Sequence, residues 1–253
     1  MKLFSSIAQY YRYLKTWKKV VNREKPENYE QALGFYSQFL NAGDICFDVG
    51  ANIGDKCDLF VNLGAKVVAI EPQESCWRIL KRRFKNQNVT IEPVALADEK
   101  GTRTLFVDRS VTLATMSKTW IDSVKKSGRF PRHKWNGKLA VQTVTLDMLI
   151  EKYGKPAFCK IDVEGFEFDV LKGLSKPIRM ISLEFVSERT ENTLSCIDHL
   201  AKLGNTEFNY CMNDSSVFAL PKWLDHKNIK TILNEMDKNI KNYGDIYVHF
   251  IDE

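Results

Sequence analysis

The sequence predicts an α/β fold in which a mostly parallel sheet carries helices on both faces. Apolar segments of strand length, such as Ile45–Val49 and Lys66–Ile70, alternate with amphipathic segments of helix length, which is the pattern of parallel strands joined by crossovers. A glycine-bracketed turn, Gly50–Gly54, follows the first strand, and an acid, Glu71, follows the second. The 253 residues suit one such domain with a full core.

The first forty residues are predicted to form a helical extension, so that the main domain occupies residues 41–253. Apolar side chains recur every three or four residues from Phe4 to Val21, with basic side chains mostly on other faces. A second helix is expected over Tyr29–Leu40. We expect the first helix to pack on its own domain or on a second subunit. The alternative is a basic amphipathic helix lying on a membrane surface, a peripheral contact.

The first half of the main domain is predicted to alternate between strand and helix. Helices are expected after Gly54 to about Leu63 and over Ser75–Asn86, and a third strand over Val89–Leu96. The second half is predicted to contain these elements in order: strand Ala157–Ile161, helix Phe166–Leu174, strand Met180–Phe185, helix Asn192–Leu203, short strands Phe208–Cys211 and Ser216–Leu220, helix Asp225–Lys241 and a closing strand Ile246–Ile251.

Between these halves the alternation breaks. Strands are expected over Gly101–Asp108 and Leu139–Leu146, and the polar stretch 109–138 between them has no clear period. Lysines and arginines there are interleaved with Trp120, Phe130 and Trp135. Long insertions of this kind are usually binding loops or disordered, and we interpret residues 109–138 as a substrate lid, with a solvated excursion as the alternative.

Composition excludes several classes of protein. No apolar run approaches the ~20 residues that a membrane span needs, and basic residues interrupt any signal-peptide core. The six cysteines are scattered without metal-ligand spacing, which favours reduced, buried thiols and a cytoplasmic protein. The net charge of +5 is too mild to indicate nucleic-acid binding by itself.

The predicted site lies where the parallel strands end, since ligands of open α/β sheets bind beyond the carboxyl ends of the strands. The two ligands that such a site could hold are a nicotinamide dinucleotide and S-adenosylmethionine. The turn has a Gly-x-x-x-Gly spacing with Asp48 two residues ahead, whereas a dinucleotide fingerprint is Gly-x-Gly-x-x-Gly. A carboxylate there suits a ligand that bears an ammonium and a sulfonium group, and it disfavours a pyrophosphate.

The predicted cofactor is therefore S-adenosylmethionine. Glu71 is expected to bind the ribose diol, Ala95 and Leu96 to line the adenine, and backbone N–H groups of the turn to hold the carboxylate. The predicted cofactor-binding residues are Asp48, Gly50, Ala51, Asn52, Gly54, Glu71, Pro72, Ala95 and Leu96.

Three acids are the predicted catalytic residues. Asp162 and Glu164 follow the fourth main strand, and Glu184 ends the fifth, so each can act as base or orient the acceptor. In the alternative, Glu164 caps a helix that begins near Gly165 and Asp162 orders the turn. The acids could also bind a divalent cation, but Asp-x-Glu is weak evidence and no metal ligand is assigned. His133 is a further base candidate, with a surface role as the alternative.

Six motifs, in order and spacing, resemble the FkbM family of S-adenosylmethionine-dependent methyltransferases over roughly residues 40 to 190. They are Phe47–Gly54, Ile70–Pro72, Ala95–Asp98, Thr145–Asp147, Lys160–Gly165 with Val170–Gly173, and Leu183-Glu184. The resemblance implies a class I methyltransferase fold, Rossmann-like, with seven strands of which the last is antiparallel. It also implies O-methylation of hydroxyls on sugars, glycolipids or natural products.

Two other functions stay open at this stage. An RNA methyltransferase could use the basic, aromatic insertion to stack and neutralise a strand, although no separate RNA-binding module is visible. A non-catalytic methyltransferase-like protein could bind partners through its N-terminal helix. The expected partner is a small-molecule or glycan acceptor, which the basic insertion suggests is anionic; nucleic acid is not expected, and the oligomeric state is open.

Overall fold

The structure is a computed structural model that describes residue 20 and residues 25–108, 110–236 and 242–252. The predicted helix over Phe4–Val21 therefore lies, except for residue 20, outside the described residues. The same holds for the end of the helix predicted over Asp225–Lys241.

Ten strands, numbered here in chain order, form two sheets in the described part of the chain. They are β1 Ile45–Val49, β2 Lys66–Ile70, β3 Val89–Glu92, β4 Ala95–Leu96, β5 Gly101–Val107, β6 Gly137–Val144, β7 Phe158–Ile161, β8 Met180–Val186, β9 Thr206–Met212 and β10 Tyr243–Phe250. The main sheet has the order β3-β2-β1-β7-β8-β10-β9, and the small sheet has the order β4-β6-β5. In the main sheet β10 runs antiparallel to β8 and β9, whereas the other pairs are parallel. The predicted class I methyltransferase fold is confirmed.

Eight helices of the described residues pack around the sheets. They are α1 Tyr29–Tyr36, α2 Asp55–Asn62, α3 Glu74–Arg83, α4 Lys118–Ser127, α5 Leu146–Tyr153, α6 Glu167–Leu171, α7 Thr190–Leu203 and α8 His226–Glu235. None of them is long and apolar enough to cross a membrane.

The main sheet is buried on both faces. Phe47 of β1 packs in a core that includes residues of α5, α6, α7 and α8, whereas its neighbour Cys46 packs in a core that includes residues of α1, α2 and α3. Successive side chains of a strand point to opposite faces, so a continuous apolar run is needed to fill both cores. All six cysteines are buried, and none of them forms a disulfide.

Three sequence-based element predictions were wrong. The strand predicted over Val89–Leu96 is divided at Pro93, which has no backbone N–H to donate to a ladder, and β4 leaves the main sheet for the small one. The helix α5 was not predicted, because Leu146 was assigned to the preceding strand. Residues 216–220 form no strand, since the chain there follows a loop.

The insertion 109–138 contains a helix that its irregular pattern does not predict. Ser117 begins α4, its Oγ accepting a hydrogen bond from the N–H of Trp120 at 3.1 Å. Trp120, Ile121 and Val124 face inward and form a small core with Trp135. The insertion is thus packed on aromatic side chains, and its action as a lid stays a prediction.

Candidate active site

A cavity of about 500 Å³ opens where β1, β2 and β7 end. Eight of the nine predicted cofactor-binding residues line it: Asp48, Gly50, Ala51, Asn52, Glu71, Pro72, Ala95 and Leu96. Gly54 does not line it. Gly54 instead precedes α2 with φ +89°, packed so closely that an added Cβ would lie 2.5 Å from the ring of Phe84.

The glycine turn after β1 contacts the ends of β2 and β7. The N–H groups of Gly50 and Ala51 donate to the carbonyl of Ile70, at 3.0 and 3.1 Å. Gly50 has φ +83°, and a Cβ at this position would lie 1.9 Å from the carbonyl oxygen of Asp162. Only glycine permits this approach of β1 to β7, so residue 50 fixes the floor of the cavity.

The turn has few N–H groups left for a ligand. Those of Gly50, Ala51, Asn52 and Gly54 are all donated within the protein. This differs from the expectation that they hold the carboxylate of a cofactor. The first residues of α2, Asp55 and Lys56, line the cavity as well, and N–H groups of a first helical turn have no partner within their helix.

Glu71 is a buried carboxyl fixed by the backbone. Its two oxygens accept hydrogen bonds from the N–H groups of Asn52, at 3.0 Å, and Gln73, at 2.7 Å. Burial, only partly offset by these bonds, raises the pKa of Glu71 to about 7. Each oxygen keeps a second lone pair, so the carboxyl can accept further hydrogen bonds from a ligand in the cavity.

Asp48 lies at the end of β1, beside Lys160 of β7 in the sheet register. It is 2% exposed, and the thiol of Cys57 lies 3.0 Å from its Oδ2. Burial raises the pKa of Asp48, while this hydrogen bond and the charge of Lys160 act in the opposite direction.

Lys160 is a buried cation between strands. Its side chain is 3% exposed, and its Nζ lies 2.8 Å from Oδ2 of Asp162 and 3.8 Å from Oδ1 of Asp245. Sequence reasoning assigned Lys160 no role, although a lysine inside a segment predicted to be buried on both faces was itself a signal. The ion pair holds Asp162 at the end of β7.

The three predicted catalytic acids are brought together. Carboxylate oxygens of Asp162, Glu164 and Glu184 lie within 4.8 Å of one another. Asp162 and Glu164 line the first cavity, and all three line an adjoining cavity of about 200 Å³. Among the described residues, the carboxyl groups of Glu164 and Glu184 have no hydrogen-bond partner from the protein.

Two acids of this cluster, Glu164 and Glu184, have raised pKa values. Burial, together with the charges of Asp162 and Glu167, raises the pKa of Glu164 well above its ordinary value. Burial and the charges of Asp162 and Glu164 do the same for the pKa of Glu184. Each of the two carboxyl groups therefore favours its protonated form more than an exposed glutamate does.

The capping alternative for Glu164 is wrong, because α6 begins at Glu167 with Phe166 as its N-cap residue and has no side-chain capping hydrogen bond. The acid that bonds to the turn before α6 is Glu167. The Oε1 of Glu167 accepts hydrogen bonds from the N–H groups of Val163, at 3.2 Å, and Gly165, at 3.1 Å. Glu164 itself has φ +56°, a conformation that costs energy in a residue other than glycine. Its carbonyl accepts a hydrogen bond from Oγ1 of Thr115 at 2.7 Å, which helps to hold it.

Residues 48–242 match the family described as the methyltransferase FkbM domain. The chain belongs to the FkbM methyltransferase family. A relative, the hexuronic acid methyltransferase AglP of Haloferax volcanii, is 25% identical over 147 residues, which are 56% of this chain and 55% of AglP. The chain thus spans about half of that relative's length.

Solved structures resemble this FkbM-family chain in fold. A precorrin-6y C5,15-methyltransferase from Geobacter metallireducens is 11% identical, with a TM-score of 0.45 and a match that covers 87% of each chain. An O-methyltransferase from Bacillus cereus in complex with SAH is 12% identical, with a TM-score of 0.43; the match covers 96% of this chain and 90% of that one.

His133, the further base candidate, lies outside the candidate active site. It lines neither cavity, and its Nδ1 lies 2.7 Å from Oδ2 of Asp108. The N–H of Lys134 donates to the other oxygen of Asp108 at 3.1 Å, so the pair closes the loop at the end of the insertion.

Besides Lys160, sequence reasoning missed six residues that line the small cavity. They are Lys56 of α2, Asn213 and Asp214 after β9, and Tyr243, Gly244 and Asp245 of β10. Those near β9 and β10 lie far along the chain from the recognised motifs, and only the antiparallel insertion of β10 beside β8 brings them to the site. No local pattern in the sequence predicts that β10 pairs with β8.

Proposed function

We propose that the chain is an S-adenosylmethionine-dependent O-methyltransferase that acts on a hydroxyl of a sugar, a glycoconjugate or a related small natural product. The observation that carries the proposal is the union of two cavities. The nucleoside-sized cavity and the small carboxylate-lined cavity share Lys56, Lys160, Asp162, Glu164 and Asp214. Membership of the family supports methyl transfer, and the hexuronic acid methyltransferase relative supports a sugar acceptor.

The lining of the first cavity fits S-adenosylmethionine. Glu71 offers carboxyl oxygens to a ribose diol, Ala95 and Leu96 are buried apolar neighbours for a base, and Asp48 and Asp162 suit a ligand with positive charge. The cofactor supplies a methyl group on a positively charged sulfur. The helix start at Asp55 and Lys56 suits the carboxylate of the same ligand.

The protein's own contribution is alignment and removal of a proton. A hydroxyl acceptor loses its proton when its oxygen attacks, and we assign Glu184 as the group that takes it, since Glu184 faces the small cavity and its raised pKa makes its ionised form a stronger base. Asp162 is paired with Lys160, which suits it to orient the acceptor. Fixing the acceptor in line contributes through effective molarities of ~10⁵–10⁸ M.

Cofactor binding is the first test. S-adenosylhomocysteine is expected to raise the melting temperature of the chain, because a ligand at ~100 times its dissociation constant stabilises the folded state by ~2.7 kcal/mol. NADH at the same concentration should leave the melting temperature unchanged. Stabilisation by NADH alone would refute the assignment of the cofactor.

The role of Glu184 predicts a specific kinetic defect. Glu184→Gln should lower kcat by ~10²–10⁴-fold, which is the usual contribution of a positioned base. The affinity of the chain for S-adenosylhomocysteine should not change. The acceptor is found with labelled S-adenosylmethionine across sugars, nucleotide sugars, glycolipids and RNA. Glu99→Gln, which changes an exposed carboxyl, is the control. If Glu184→Gln keeps kcat within a few-fold of the parent, Glu184 is not the base.

The raised pKa values also predict the pH profile. In the parent, kcat should rise with pH beyond the ordinary carboxyl range, because the ionised form of Glu184 appears only at higher pH. Glu164→Gln removes a neighbouring charge that raises the pKa of Glu184, so the rising limb should move to lower pH. If the rising part of the kcat profile stays at the same pH in Glu164→Gln, Glu164 does not influence the proton transfer.

The alternative of RNA methylation loses its main support. It required Trp120, Phe130 and Trp135 to stack on bases. Trp120 is fully buried, Trp135 is 7% exposed, and Phe130 is partly buried against them. Their place in a small core favours a packing role.

A further inference from the structure

A third cavity, of about 650 Å³, lies beside the two cavities of the site. Residues of α1, the first turns of α2 and the end of α3 line it. Asp55, Lys56 and Asp214 line both this cavity and the cofactor cavity, and Lys56 and Asp214 also line the small acceptor cavity. All three spaces therefore meet at Lys56 and Asp214.

The junction is held in place by α1. The Nδ2 of Asn28 donates to the carbonyl of Asp214 at 3.3 Å, and the Nε2 of Gln31 donates to the carbonyl of Ser215 at 3.2 Å. These bonds fix the loop that follows β9 against the N-terminal side of the domain. On the other wall, the hydroxyl of Tyr29 donates to Asp58 at 2.7 Å, and Arg83 lies 3.1 Å from Asp55.

The two ends of the combined space differ in charge. The carboxyl groups at the reacting end, those of Asp162, Glu164, Glu184, Asp214 and Asp245, outnumber the two lysines there, Lys56 and Lys160. Among the described residues that line the third cavity, the balance is reversed. Four cationic side chains, Lys25, Lys56, Arg82 and Arg83, stand against three carboxylates, Asp55, Asp58 and Asp214. Arg83 lies 3.1 Å from Asp55 and 3.6 Å from Asp58, so Lys25 and Lys56 are cations that these two carboxylates do not pair with in the cavity wall. A negative charge on the acceptor is therefore disfavoured beside the base and favoured in the third cavity.

The third cavity is also lined in a way that suits carbohydrate. Polar side chains alternate with apolar surfaces from Pro26, Ala32 and Leu59, which matches a ligand with hydroxyl edges and C–H faces. The acids at the reacting end likewise suit neutral hydroxyls, which can donate to one carboxyl and accept from its protonated neighbour.

We propose that the third cavity is a second acceptor subsite, which binds the next unit of a carbohydrate chain, and that this unit carries a carboxylate or a phosphate group. The reacting unit, with its neutral hydroxyls, lies in the small cavity, and the chain passes between Lys56 and Asp214. The acceptor is then an anionic oligosaccharide or glycoconjugate. This inference rests on the proposed function for the identity of the neighbouring site.

Charge reversal at the cavity rim tests the subsite. Lys25 and Arg82 are exposed and line the cavity, whereas Lys81, the residue before Arg82 on α3, is exposed and does not line it. Lys25→Glu and Arg82→Glu are compared with Lys81→Glu, which changes the net charge equally. Unchanged melting temperatures would show that the exposed substitutions leave the fold intact.

The probes are tetrasaccharides of galacturonate and of hyaluronan, phosphorylated mannose oligosaccharides, and neutral dextran oligosaccharides. Each is titrated by calorimetry into the full chain saturated with S-adenosylhomocysteine. At least one anionic probe should bind, and Lys25→Glu and Arg82→Glu should each weaken it by about fivefold to tenfold, while Lys81→Glu does not. The carboxylate and phosphate probes identify the anionic group.

Three outcomes would overturn the subsite: no anionic probe binds, dextran binds as tightly as the anionic probes, or Lys81→Glu weakens binding as much as the rim variants. Failure of the proposed function looks different. If an anionic probe binds with the expected variant pattern but no acceptor is ever methylated, the subsite stands and O-methyl transfer does not. If a single-sugar glycoside is methylated with the same kcat/KM as the longer chain, the subsite alone fails.

Discussion

At the scale of single residues, the site collects carboxyl groups that differ in partners and therefore in protonation. Glu71 and Glu167 accept backbone N–H groups, yet burial raises the pKa of each to about 7. Asp162 is paired with a lysine, whereas Glu164 and Glu184 lie against like charges. The chemistry of the site follows from this division, because one kind of side chain is set to different tasks by its surroundings.

Glu167 allows the effect of burial on stability to be measured. Its folded-state pKa is raised, so the folded chain holds this proton more tightly than the unfolded chain, and the free energy of unfolding should fall as pH rises from about 4.5 to about 7. The hydrogen bonds from Val163 and Gly165 both reach Oε1, an atom that glutamine also provides. Glu167→Gln should therefore flatten this decline and exceed the parent in stability at pH 8 by up to about 3 kcal/mol.

Urea unfolding of both proteins at pH 5 and pH 8 gives the comparison. If the free energy of unfolding falls equally in parent and variant, ionisation of Glu167 does not destabilise the folded chain.

Many residues of the candidate site could be predicted, because their positions follow from strand ends. Asp48 lies near the end of one apolar run and Glu71 directly follows another. Asp162 directly follows a third apolar run, which forms β7. Lys160, Asp214 and Asp245 could not be placed in this way. Their neighbours come from β1, α2 and β10, so their roles depend on which strands pair and not on which residues precede or follow them.

At the scale of elements, strands buried on both faces were predicted best, since a short, continuous apolar run between turn residues suits few structures besides a central strand. The helix α4 was missed because its buried stripe is short, although Ser117 before it and Gly128 after it were start and stop signals. The boundary between β6 and α5 was missed because Thr145 continues a β-branched run while its side chain caps the helix, accepting from the N–H of Met148 at 3.2 Å.

The turn between β1 and α2 predicts a clear difference between two glycines. Gly50→Ala adds a Cβ that would collide with the carbonyl of Asp162, so β1 and β7 must separate and binding of S-adenosylhomocysteine should be lost. Gly128, at the end of α4, has a similar φ of +78° but no atom within 4 Å of an added Cβ.

Gly128→Ala is therefore the control for backbone strain, with an expected cost of about 1 kcal/mol and normal ligand binding. Calorimetry and urea unfolding of both variants measure these effects. Equal ligand affinity in the two variants would contradict the role given to Gly50.

At the scale of the whole molecule, several hydrogen bonds join the insertion to the main sheet and its loops; two residues of the insertion, Thr115 and Arg129, are examples. Thr115 holds the carbonyl of Glu164, and Arg129 forms a two-point pair with Glu188 just beyond β8, its Nε 2.8 Å from Oε1 and its Nη2 2.5 Å from Oε2. Both side chains of the pair are less than a tenth exposed. Although burial acts to raise it, hydrogen bonds from Arg129 and Ser127 lower the pKa of Glu188.

The buried pair predicts a non-additive mutant cycle. Arg129→Met leaves Glu188 buried without its cation and should destabilise the chain by about 3–5 kcal/mol, whereas Arg129→Met with Glu188→Met should recover most of that loss. Unfolding free energies of the parent, both single variants and the double variant give the coupling. Additive losses would mean that the two side chains act independently.

The antiparallel strand β10 has a consequence for how the chain is made. It lies between β8 and β9 in the main sheet. The edge of β8 that faces away from β7 therefore has no partner strand until residues 243–250 leave the ribosome. During synthesis, β1, β2, β3, β7 and β8 can already pair. The outer edge of β8, with its unpaired backbone N–H and C=O groups, then stays open to other nascent chains. A stalled or truncated product that ends before residue 243 should therefore be a target for chaperones and a seed for aggregation, even with every predicted cofactor-binding residue already in place.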